Sequence, residues 1–324
     1  MKKNQTMIPP SVHTLAQLST STPKPLPTKK DSKKKDSQNR LQKKARSKSL
    51  TNTILFPLID LKSPLLKSYW TTYHCNNVQL QEGDLIKSKY CNQRWCIICN
   101  RVRTAKMING YKEPLSQLEN PYFVTLTIPN VKGKYLKSSI EGMQKNFTKI
   151  RKNLTKTYAI KIKGIRKTEC TYNEKKDDYH PHYHILLSGK YEAECLINSW
   201  LAYNPTCDKK GQHMEEANKD SLMELFKYFT KVVNKGTFYP KQMDIIFRSM
   251  KNKRVFQPIG IKKQVSEDVE EIEVQKIDFK GFQTEIWVWE QTAFDWVSCH
   301  GETLTEYEPS KEFTTYLNKI AAPT

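Results

Sequence analysis

The sequence predicts an α+β fold: an antiparallel sheet with helices packed on it, preceded by a small cysteine-rich, zinc-binding segment. Some short stretches alternate apolar and polar residues, as strands with one buried face do, and longer ones repeat apolar residues every three or four positions, as helices do. The order strand, helix, strand, strand, helix over residues 118–240 is typical of helices on an antiparallel sheet. Four clustered cysteines precede this region.

The chain is strongly basic. Its 324 residues suffice for one large domain or two small ones, and they carry a net charge of +21. The first 50 residues hold 13 Lys/Arg against 2 Asp, yet the rest of the chain is basic as well. A basic body favours a polyanionic partner, although lysines that serve only solubility are an alternative. Residues 1–55, rich in Lys, Ser and Pro, predict a disordered basic arm.

The sequence predicts neither a membrane span nor a signal peptide. No apolar run approaches the roughly 18 residues that a spanning helix needs, and the N-terminus lacks a continuous apolar core. We therefore expect no membrane partner and a cytoplasmic location. The clustered cysteines suit a reducing compartment, because they are spaced like metal ligands rather than like a secreted disulfide framework.

Residues 70–112 form the cysteine-rich segment. Cys91, Cys96 and Cys99 follow a C-x4-C-x2-C spacing, and Cys75 lies upstream. Four thiolates with a short C-x2-C knuckle suit structural Zn²⁺. Free buried cysteines are the alternative, and the histidine directly before Cys75 is a possible substitute ligand.

A strand and a helix come next. Residues 122–130, YFVTLTIPN, alternate in polarity and end at a proline, which predicts a strand with one buried face. Ser138 and Glu141 predict a capping box at the start of the helix. The helix has an apolar stripe at four-three-four spacing: Met143, Phe147, Ile150 and Leu154.

The segments GIRKTECTY and HYHILLS predict a hairpin with two histidines on one face. His182 and His184 are two residues apart and therefore point the same way. With a turn centred near Lys176, Glu169 lies across from His184 on the partner strand. Two imidazoles and a carboxylate with open positions predict a divalent cation site that can hold a phosphate. Surface histidines on an edge strand are the alternative. A zinc hydrolase is less consistent with the sequence, because Ile-Leu follows the second histidine where many such sites have Asp-His.

The stretch DSLMELFKYFTKVV predicts an amphipathic helix from about residue 220 to residues 235–236. Its apolar arc comprises Leu222, Leu225, Phe226, Phe229, Val232 and Val233. Glu224 and Tyr228 lie four residues apart on the opposite arc, where their side chains are neighbours. A phenol, with a pKa near ~10, needs a cation or a base to attack phosphorus. Lys227 and Lys231 supply positive charge there. Alone, an E-x-x-x-Y helix is a common surface pair.

Three segments together resemble a known family. In order, FVTLTIPN, RKTECTYN…YHPHYHILL and MELFKYFTK resemble the three motifs of rolling-circle plasmid replication initiators, which belong to the HUH endonuclease superfamily. The similarity spans about residues 75–235 and is strongest to the bacterial plasmid class with an E-x-x-x-Y third motif. Similar initiators also carry a cysteine segment before the first motif. The resemblance therefore implies an HUH endonuclease-like sheet.

The resemblance also implies roles for residues. Tyr228 would cut one origin strand, keep the 5′ phosphate as a phosphotyrosine and leave a 3′-OH primer. Glu224 would activate water for the cut that ends a round. His182, His184 and Glu169 would hold Mg²⁺ or Mn²⁺, and the "TLT" strand would be mainly structural.

The partner implied is origin DNA, as a single-stranded or hairpin nick site with adjacent duplex. A host helicase and DNA polymerase are also implied, since the sequence has no G-x-x-x-x-G-K-[ST] motif. Arg94, Lys227 and Lys231 are the candidate DNA contacts.

The expected organisation has four parts. Residues 1–55 are the arm, 70–112 the zinc segment and 118–240 the nuclease core, and 241–324 either complete the domain or bind DNA or a partner. Two other functions stay open. One is a conjugative relaxase or transposase with the same chemistry, and the other is a non-catalytic, zinc-stabilised DNA-binding regulator.

Overall fold

The structure, a computed structural model, describes residues 29–83, 85–226, 233–234, 237–264, 272–273 and 284–321. The chain divides into two compact units, Met1–Arg40 and Leu41–Thr324. The helices are α1 Lys29–Asp60, α2 Leu66–Tyr73, α3 Ile97–Ser116, α4 Gly133–Thr157, α5 Lys190–Tyr203, α6 Lys219–Phe226, α7 Pro240–Met250 and α8 Lys311–Ala321. The strands are β1 Val78–Glu82, β2 Leu85–Ser88, β3 Pro121–Thr127, β4 Gly164–Asn173, β5 Asp178–Ser188, β6 His213–Glu216, β7 Val233–Asn234, β8 Thr237–Phe238, β9 Phe256–Ile259, β10 Ile272–Glu273, β11 Glu285–Glu290 and β12 Asp295–Val297. Within these ranges, no helix has the length and apolar character needed to cross a membrane.

The predicted α+β fold is confirmed. The first sheet has the strand order β6-β3-β5-β4-β9, and every neighbouring pair is antiparallel. The two longest strands, β4 and β5, lie inside this sheet, so both edges of each are paired, and core clusters cover both faces of β5. Tyr183, Ile185 and Leu187 face α4 and α5 in one core cluster. Leu186 faces the other way and packs with Phe226 of α6 in a second cluster.

The β4–β5 hairpin has a register two residues away from the predicted one. Glu169 pairs with His182, and Lys167, not Glu169, pairs with His184. The strands run longer than expected, and the connection between them is a short 3-10 turn closed by Asp177 at φ 46°. Aspartate tolerates this left-handed conformation better than most residues do. Because side chains alternate with period two, this shift leaves every side chain on its predicted face.

Helix α4 begins earlier than the predicted capping box. The helix starts at Gly133, and inside it the Ser138 hydroxyl donates to the Tyr135 carbonyl, while Glu141 accepts from Lys253. The capping-box prediction is therefore wrong. The apolar stripe explains the earlier start, because it extends backwards at the same spacing. Its buried members are Leu136, Ile140, Met143, Phe147, Ile150 and Leu154.

The predicted helix near residues 220–236 is shorter than expected. Helix α6 is described up to Phe226, and residues 227–232 lie outside the described ranges. Val233 and Asn234 form a strand that pairs with Thr237–Phe238, so the expected helix end at residues 235–236 is wrong. A β-branched residue followed by Asn-Lys-Gly favours a hairpin over a helical turn. Leu225 and Phe226 of the predicted apolar arc are buried, as expected.

Residues 241–324 contribute strands to both five-stranded sheets. Strand β9 pairs with β4 in the first sheet. The second sheet has the order β10-β2-β1-β11-β12, in which β1 of the cysteine-rich segment pairs with β11. Strand β11 lies within the stretch QTEIWVWE, and Trp287 on it packs with Trp296 and Ala45.

Part of the predicted disordered arm is helical. Residues 1–28 lie outside the described ranges, but α1 covers 29–55 of that arm. From Leu41 onward, α1 belongs to the larger unit and buries Ala45, Ile54 and Leu55. The expectation of disorder is therefore wrong for residues 41–55. The polar composition hid the helix, because its basic residues are themselves used inside the fold: the Lys48 ammonium donates to the Tyr73 carbonyl and the Asn77 amide oxygen.

Candidate metal and catalytic site

Three side chains of the β4–β5 hairpin converge on one point. The Nε2 atoms of His182 and His184 each lie 3.3 Å from Oε2 of Glu169. Ligand atoms from all three residues fall within 4.8 Å of one another. They meet because Glu169 and His182 are directly paired across the hairpin and His184 follows two residues later on the same face. Two imidazole nitrogens and a carboxylate oxygen suit a divalent cation with open positions.

Contacts at the far side of each ring orient the two imidazoles. His182 Nδ1 lies 3.0 Å from the His180 carbonyl oxygen, which accepts a hydrogen bond from the ring and so turns Nε2 toward Glu169. His184 Nδ1 lies 3.2 Å from the Thr125 hydroxyl. The sequence reasoning treated the Thr-Leu-Thr strand as mainly structural and missed this contact. The signal for it is the register, since Thr125 pairs with His184 across β3 and β5.

His180 lies beside the site but outside the converging group. Its ring stacks on His182 at a centroid distance of 4.9 Å. Burial, followed by the charge of His182, lowers the pKa of His180. A neutral imidazole at this position adds no positive charge near a bound cation. Its carbonyl is the part that contacts the site, through the His182 ring.

A buried lysine holds the other oxygen of Glu169. Lys167 is 0% exposed, and its ammonium forms an ion pair with Glu169 Oε1. Burial alone would raise the pKa of the Glu169 carboxyl, but hydrogen bonds from both histidines and the charge of Lys167 hold that pKa well below its usual value. Glu169 is therefore ionised and available as an anionic ligand. Sequence reasoning missed Lys167, although a lysine two residues before Glu169 must share its face.

The structure brings Glu224 to the same part of the hairpin through its backbone. Glu224 lies in α6, is partly buried, and its carbonyl oxygen accepts a hydrogen bond of 3.1 Å from the Lys167 ammonium. Phe226 stacks on Phe256 of β9 at 6.2 Å, which helps to fix α6 on the sheet. Tyr228, Lys227 and Lys231 lie outside the described residues.

The four predicted zinc ligands are together. The sulfur atoms of Cys75, Cys91, Cys96 and Cys99 lie within 4.8 Å of one another. Cys75 Sγ and Cys91 Sγ are 3.5 and 3.6 Å from Cys99 Sγ. A tetrahedral zinc site with Zn–S bonds of about 2.3 Å has sulfurs about 3.8 Å apart, so the cluster fits such an ion.

The backbone around the cysteines also fits a thiolate site. The backbone amide of Cys91 donates to the Cys75 sulfur at 3.3 Å, and the backbone amide of Cys99 donates to the Cys96 sulfur at 3.5 Å. Hydrogen bonds from the other three thiols hold the pKa of Cys75 well below its usual value, while burial raises that of Cys96. Burial lowers the pKa of Lys48 to about 8, and the four thiols oppose this shift. His74 instead stacks on Trp70 and lies outside the group, as a neighbour of Asn77.

Arg94 is engaged within the protein. Its guanidinium donates to the Met250 carbonyl at 2.9 Å, and burial lowers its pKa. Arg101 donates to the Lys43 carbonyl and the Ser47 hydroxyl. Arg103 donates to the side chain of Asn100 and the carbonyl of Asn92, so it braces the cysteine segment internally, whereas Arg94 and Arg101 tie the segment to other elements.

Comparison with known proteins identifies the region that contains this site. Residues 82–192 match the family described as "Replication protein". A "Protein rep" of Staphylococcus aureus is 36% identical over 115 residues, which cover 34% of this chain and 49% of the relative. A "Protein rep" of Bacillus amyloliquefaciens is 34% identical over 112 residues, which cover 33% of this chain and 32% of the relative.

A third relative covers more of the chain. The "Protein rep" of Streptococcus pneumoniae serotype 2 is 24% identical over 223 residues, covering 58% of this chain and 66% of the relative. The chain thus spans less than two thirds of the length of the curated relatives described above. No solved structure gives a significant match. Residues 82–192, the part of the chain that matches the replication protein family, hold the three converging ligands and three of the four clustered cysteines.

Proposed function

We propose that this chain initiates rolling-circle replication of a plasmid by nicking one strand of origin DNA through a tyrosine. The observation that carries the proposal is the convergence of His182, His184 and Glu169, inside a region similar to proteins named "Protein rep". A metal site on a hairpin, followed along the chain by Glu224 and Tyr228, supplies the parts that phosphoryl transfer to a tyrosine needs.

The hairpin residues hold the cation and the phosphate. His182, His184 and Glu169 would bind Mg²⁺ or Mn²⁺, which polarises the scissile phosphate and stabilises charge that develops on its oxygens. The ionised Glu169 contributes the anionic ligand, and the two oriented imidazoles contribute ring nitrogens. Cys75, Cys91, Cys96 and Cys99 would hold a structural Zn²⁺.

The chemistry then passes to the residues at and after α6. The Tyr228 oxygen attacks phosphorus, a Tyr–O–P bond forms, and the bond to the 3′ oxygen breaks, which leaves a 3′-OH primer. Glu224 takes a proton from the water that makes the later cut, so a round ends without a second tyrosine. Lys227 and Lys231 contribute positive charge near the phosphodiester. A host helicase and a host polymerase extend the primer.

A basic cleft supports DNA as the partner. Its volume is about 580 Å³, and its lining includes Lys134, Lys137, Arg248 and Lys251. The nearby acids are already engaged, because Arg248 pairs with Asp244 and Glu141 accepts from Lys253. Lysines around such a cleft favour a phosphate backbone. We assign this cleft to the duplex beside the nick site.

The test is a covalent-adduct assay. Wild-type protein, Tyr228→Phe and Tyr239→Phe are incubated with Mn²⁺ and single-stranded origin DNA. We expect wild type and Tyr239→Phe to nick and to form a DNA adduct, and Tyr228→Phe to do neither while it binds duplex origin DNA within about threefold of wild type, since only a hydroxyl is lost.

Two outcomes would contradict the assignment. An adduct that persists in Tyr228→Phe but not in Tyr239→Phe moves the nucleophile to Tyr239. A wild-type protein that binds origin DNA and never cuts it is a regulator with structural histidines, not an initiator nuclease.

A further inference from the structure

Lys167 is placed where an uncharged residue would be expected. It lies on β4 between His184 of β5 and Phe256 of β9, and its side chain is fully buried. The ammonium lies 5.9 Å from the centroid of the Phe256 ring. Replacing a buried ion pair by apolar residues is often neutral or stabilising, so stability is a weak reason for a charge here. The reason for the charge lies in what the ammonium contacts.

The Lys167 ammonium binds one oxygen of the Glu169 carboxylate and leaves the other oxygen facing the histidines. It pairs with Oε1, while Oε2 faces the two histidine Nε2 atoms at 3.3 Å. With Oε1 occupied, the carboxylate rotates less and offers one oxygen to a cation. The ligand set is thus limited to two nitrogens and one oxygen, which leaves positions open for a phosphate.

The same ammonium reaches the helix that carries Glu224. It donates to the Glu224 carbonyl at 3.1 Å, close to the end of the described part of α6. One side chain therefore contacts both the third metal ligand and the backbone four residues before Tyr228. A carboxylate that shifts on binding a cation moves the ammonium, and with it the hydrogen bond to α6.

We propose that Lys167 is a positioning residue that couples cation binding at Glu169 to the placement of α6. The inference rests on the proposed metal site and nuclease function. It makes a prediction that neither of them makes: cation binding orders α6, and Lys167 is required for that ordering.

The test measures amide hydrogen exchange in the full chain with and without Mn²⁺. In wild type, Mn²⁺ should slow exchange in residues 219–226 by roughly fivefold or more, the size typical of coupled sites. In Lys167→Met the peptide should exchange at nearly the same rate with and without Mn²⁺. Lys175→Met, an exposed lysine in the connection between β4 and β5, is the matched control and should behave as wild type.

Nicking separates positioning from a structural role. Lys167→Met should bind Mn²⁺ at least as tightly as wild type, because a positive charge near the cation is removed. At saturating Mn²⁺ it should nick roughly tenfold or more slowly, because the reacting groups are no longer aligned. Lys167→Arg, which keeps the charge, should recover part of the rate. A purely structural lysine would instead lower thermal stability and Mn²⁺ affinity together.

Each outcome decides the inference. If Mn²⁺ leaves residues 219–226 of wild type unchanged, the coupling does not exist, whatever the variants do. Equal protection in wild type and Lys167→Met also overturns it. Lys167→Gln, which keeps a hydrogen-bond donor at the buried position, should lose the coupling too and serves if Lys167→Met does not fold. A wild type that shows the coupling but never nicks overturns the proposed function and leaves the role of Lys167 intact.

Discussion

At the scale of single residues, the metal site depends on which oxygen or nitrogen faces which partner. The three converging residues could be predicted, because a register shift of two residues leaves His182, His184 and Glu169 on the same face of the hairpin. Thr125 and Lys167 were not predicted, because their contacts follow from strand pairing and not from a motif. Sequence spacing therefore predicts the candidate ligands, and the sheet register is needed to find the residues that orient them.

The Thr125 hydroxyl should influence cation affinity. Thr125→Val keeps the shape but removes the contact to His184 Nδ1, so the imidazole is less well oriented. We expect Mn²⁺ affinity to fall roughly tenfold or more, as for other residues that orient metal ligands. Isothermal titration calorimetry measures this, with Thr171→Val on the same hairpin as the control. Unchanged affinity in Thr125→Val would show that the hydroxyl contact does not orient the ligand.

The histidines should be required for metal-dependent cutting. His182→Ala or His184→Ala leaves two of three ligands, which fix a phosphate poorly. We expect nicking of origin DNA to fall to background in either variant and in wild type treated with EDTA. His180→Ala should retain most of its activity, since its imidazole is outside the converging group. Full activity in the presence of excess EDTA would rule out a catalytic cation.

Glu224 should matter for the second cut and not the first. Glu224→Gln keeps the size and the backbone hydrogen bond to Lys167 but removes the group that accepts a proton from water. We expect nicking and adduct formation close to wild type, with single-stranded products longer than one plasmid unit accumulating in cells. Gel analysis of replication intermediates measures this. A variant as inactive as Tyr228→Phe in the first cut would make Glu224 a ligand or the base for Tyr228.

At the scale of elements, local patterns predicted what forms and tertiary pairing decided where it ends. The alternation in β3 and the stripe in α4 were read correctly, because both patterns come from one buried face. The start of α4 and the end of α6 were not. Helix α4 continues back along its own apolar stripe, and Val233 pairs with Phe238 instead of extending a helix. The helix from Lys29 was missed because several of its buried positions hold polar residues, among them Lys44, Lys48 and Thr51.

The cysteine cluster should contribute to folding through a metal. Cys96 provides one of the four sulfurs and also caps α3, accepting from the Cys99 amide. Cys96→Ser should release zinc, measured by elemental analysis, and lower the melting temperature, because a structural zinc site contributes folding free energy directly. Cys299→Ser, at an exposed cysteine outside the cluster, should change neither value. Freshly purified wild type without zinc would end this account.

At the scale of the whole molecule, charge was predictable and long-range pairing was not. The net charge of +21 indicates a polyanionic partner without any structure. The pairing of β1 with β11 joins segments from near opposite ends of the described chain, and neither segment carries a local signal for its partner. The basic cleft arises in the same way, from the turn before α2, the start of α4 and the end of α7.

The cleft should account for part of the salt dependence of DNA binding. Lys134→Glu, Lys137→Glu and Lys251→Glu together should weaken binding to duplex DNA of any sequence, with the slope of log affinity against log salt falling by about 0.9 for each lost phosphate contact. The matched control reverses three exposed lysines of the second half of α4: Lys149, Lys152 and Lys156. Equal weakening in both triple variants would assign the effect to net charge and not to the cleft.

The pairing of β9 with β4 has a consequence for how the gene tolerates damage. Every motif residue of the proposed nuclease precedes residue 240, whereas the strand that covers the outer edge of β4 comes after it. A premature stop codon between residue 240 and β9 would keep every motif residue in the product and leave the outer edge of β4 unpaired. An unpaired strand edge recruits other strands, so the shortened product would aggregate before it could cut DNA. The shortest stable form of the proposed nuclease is therefore longer than its motifs.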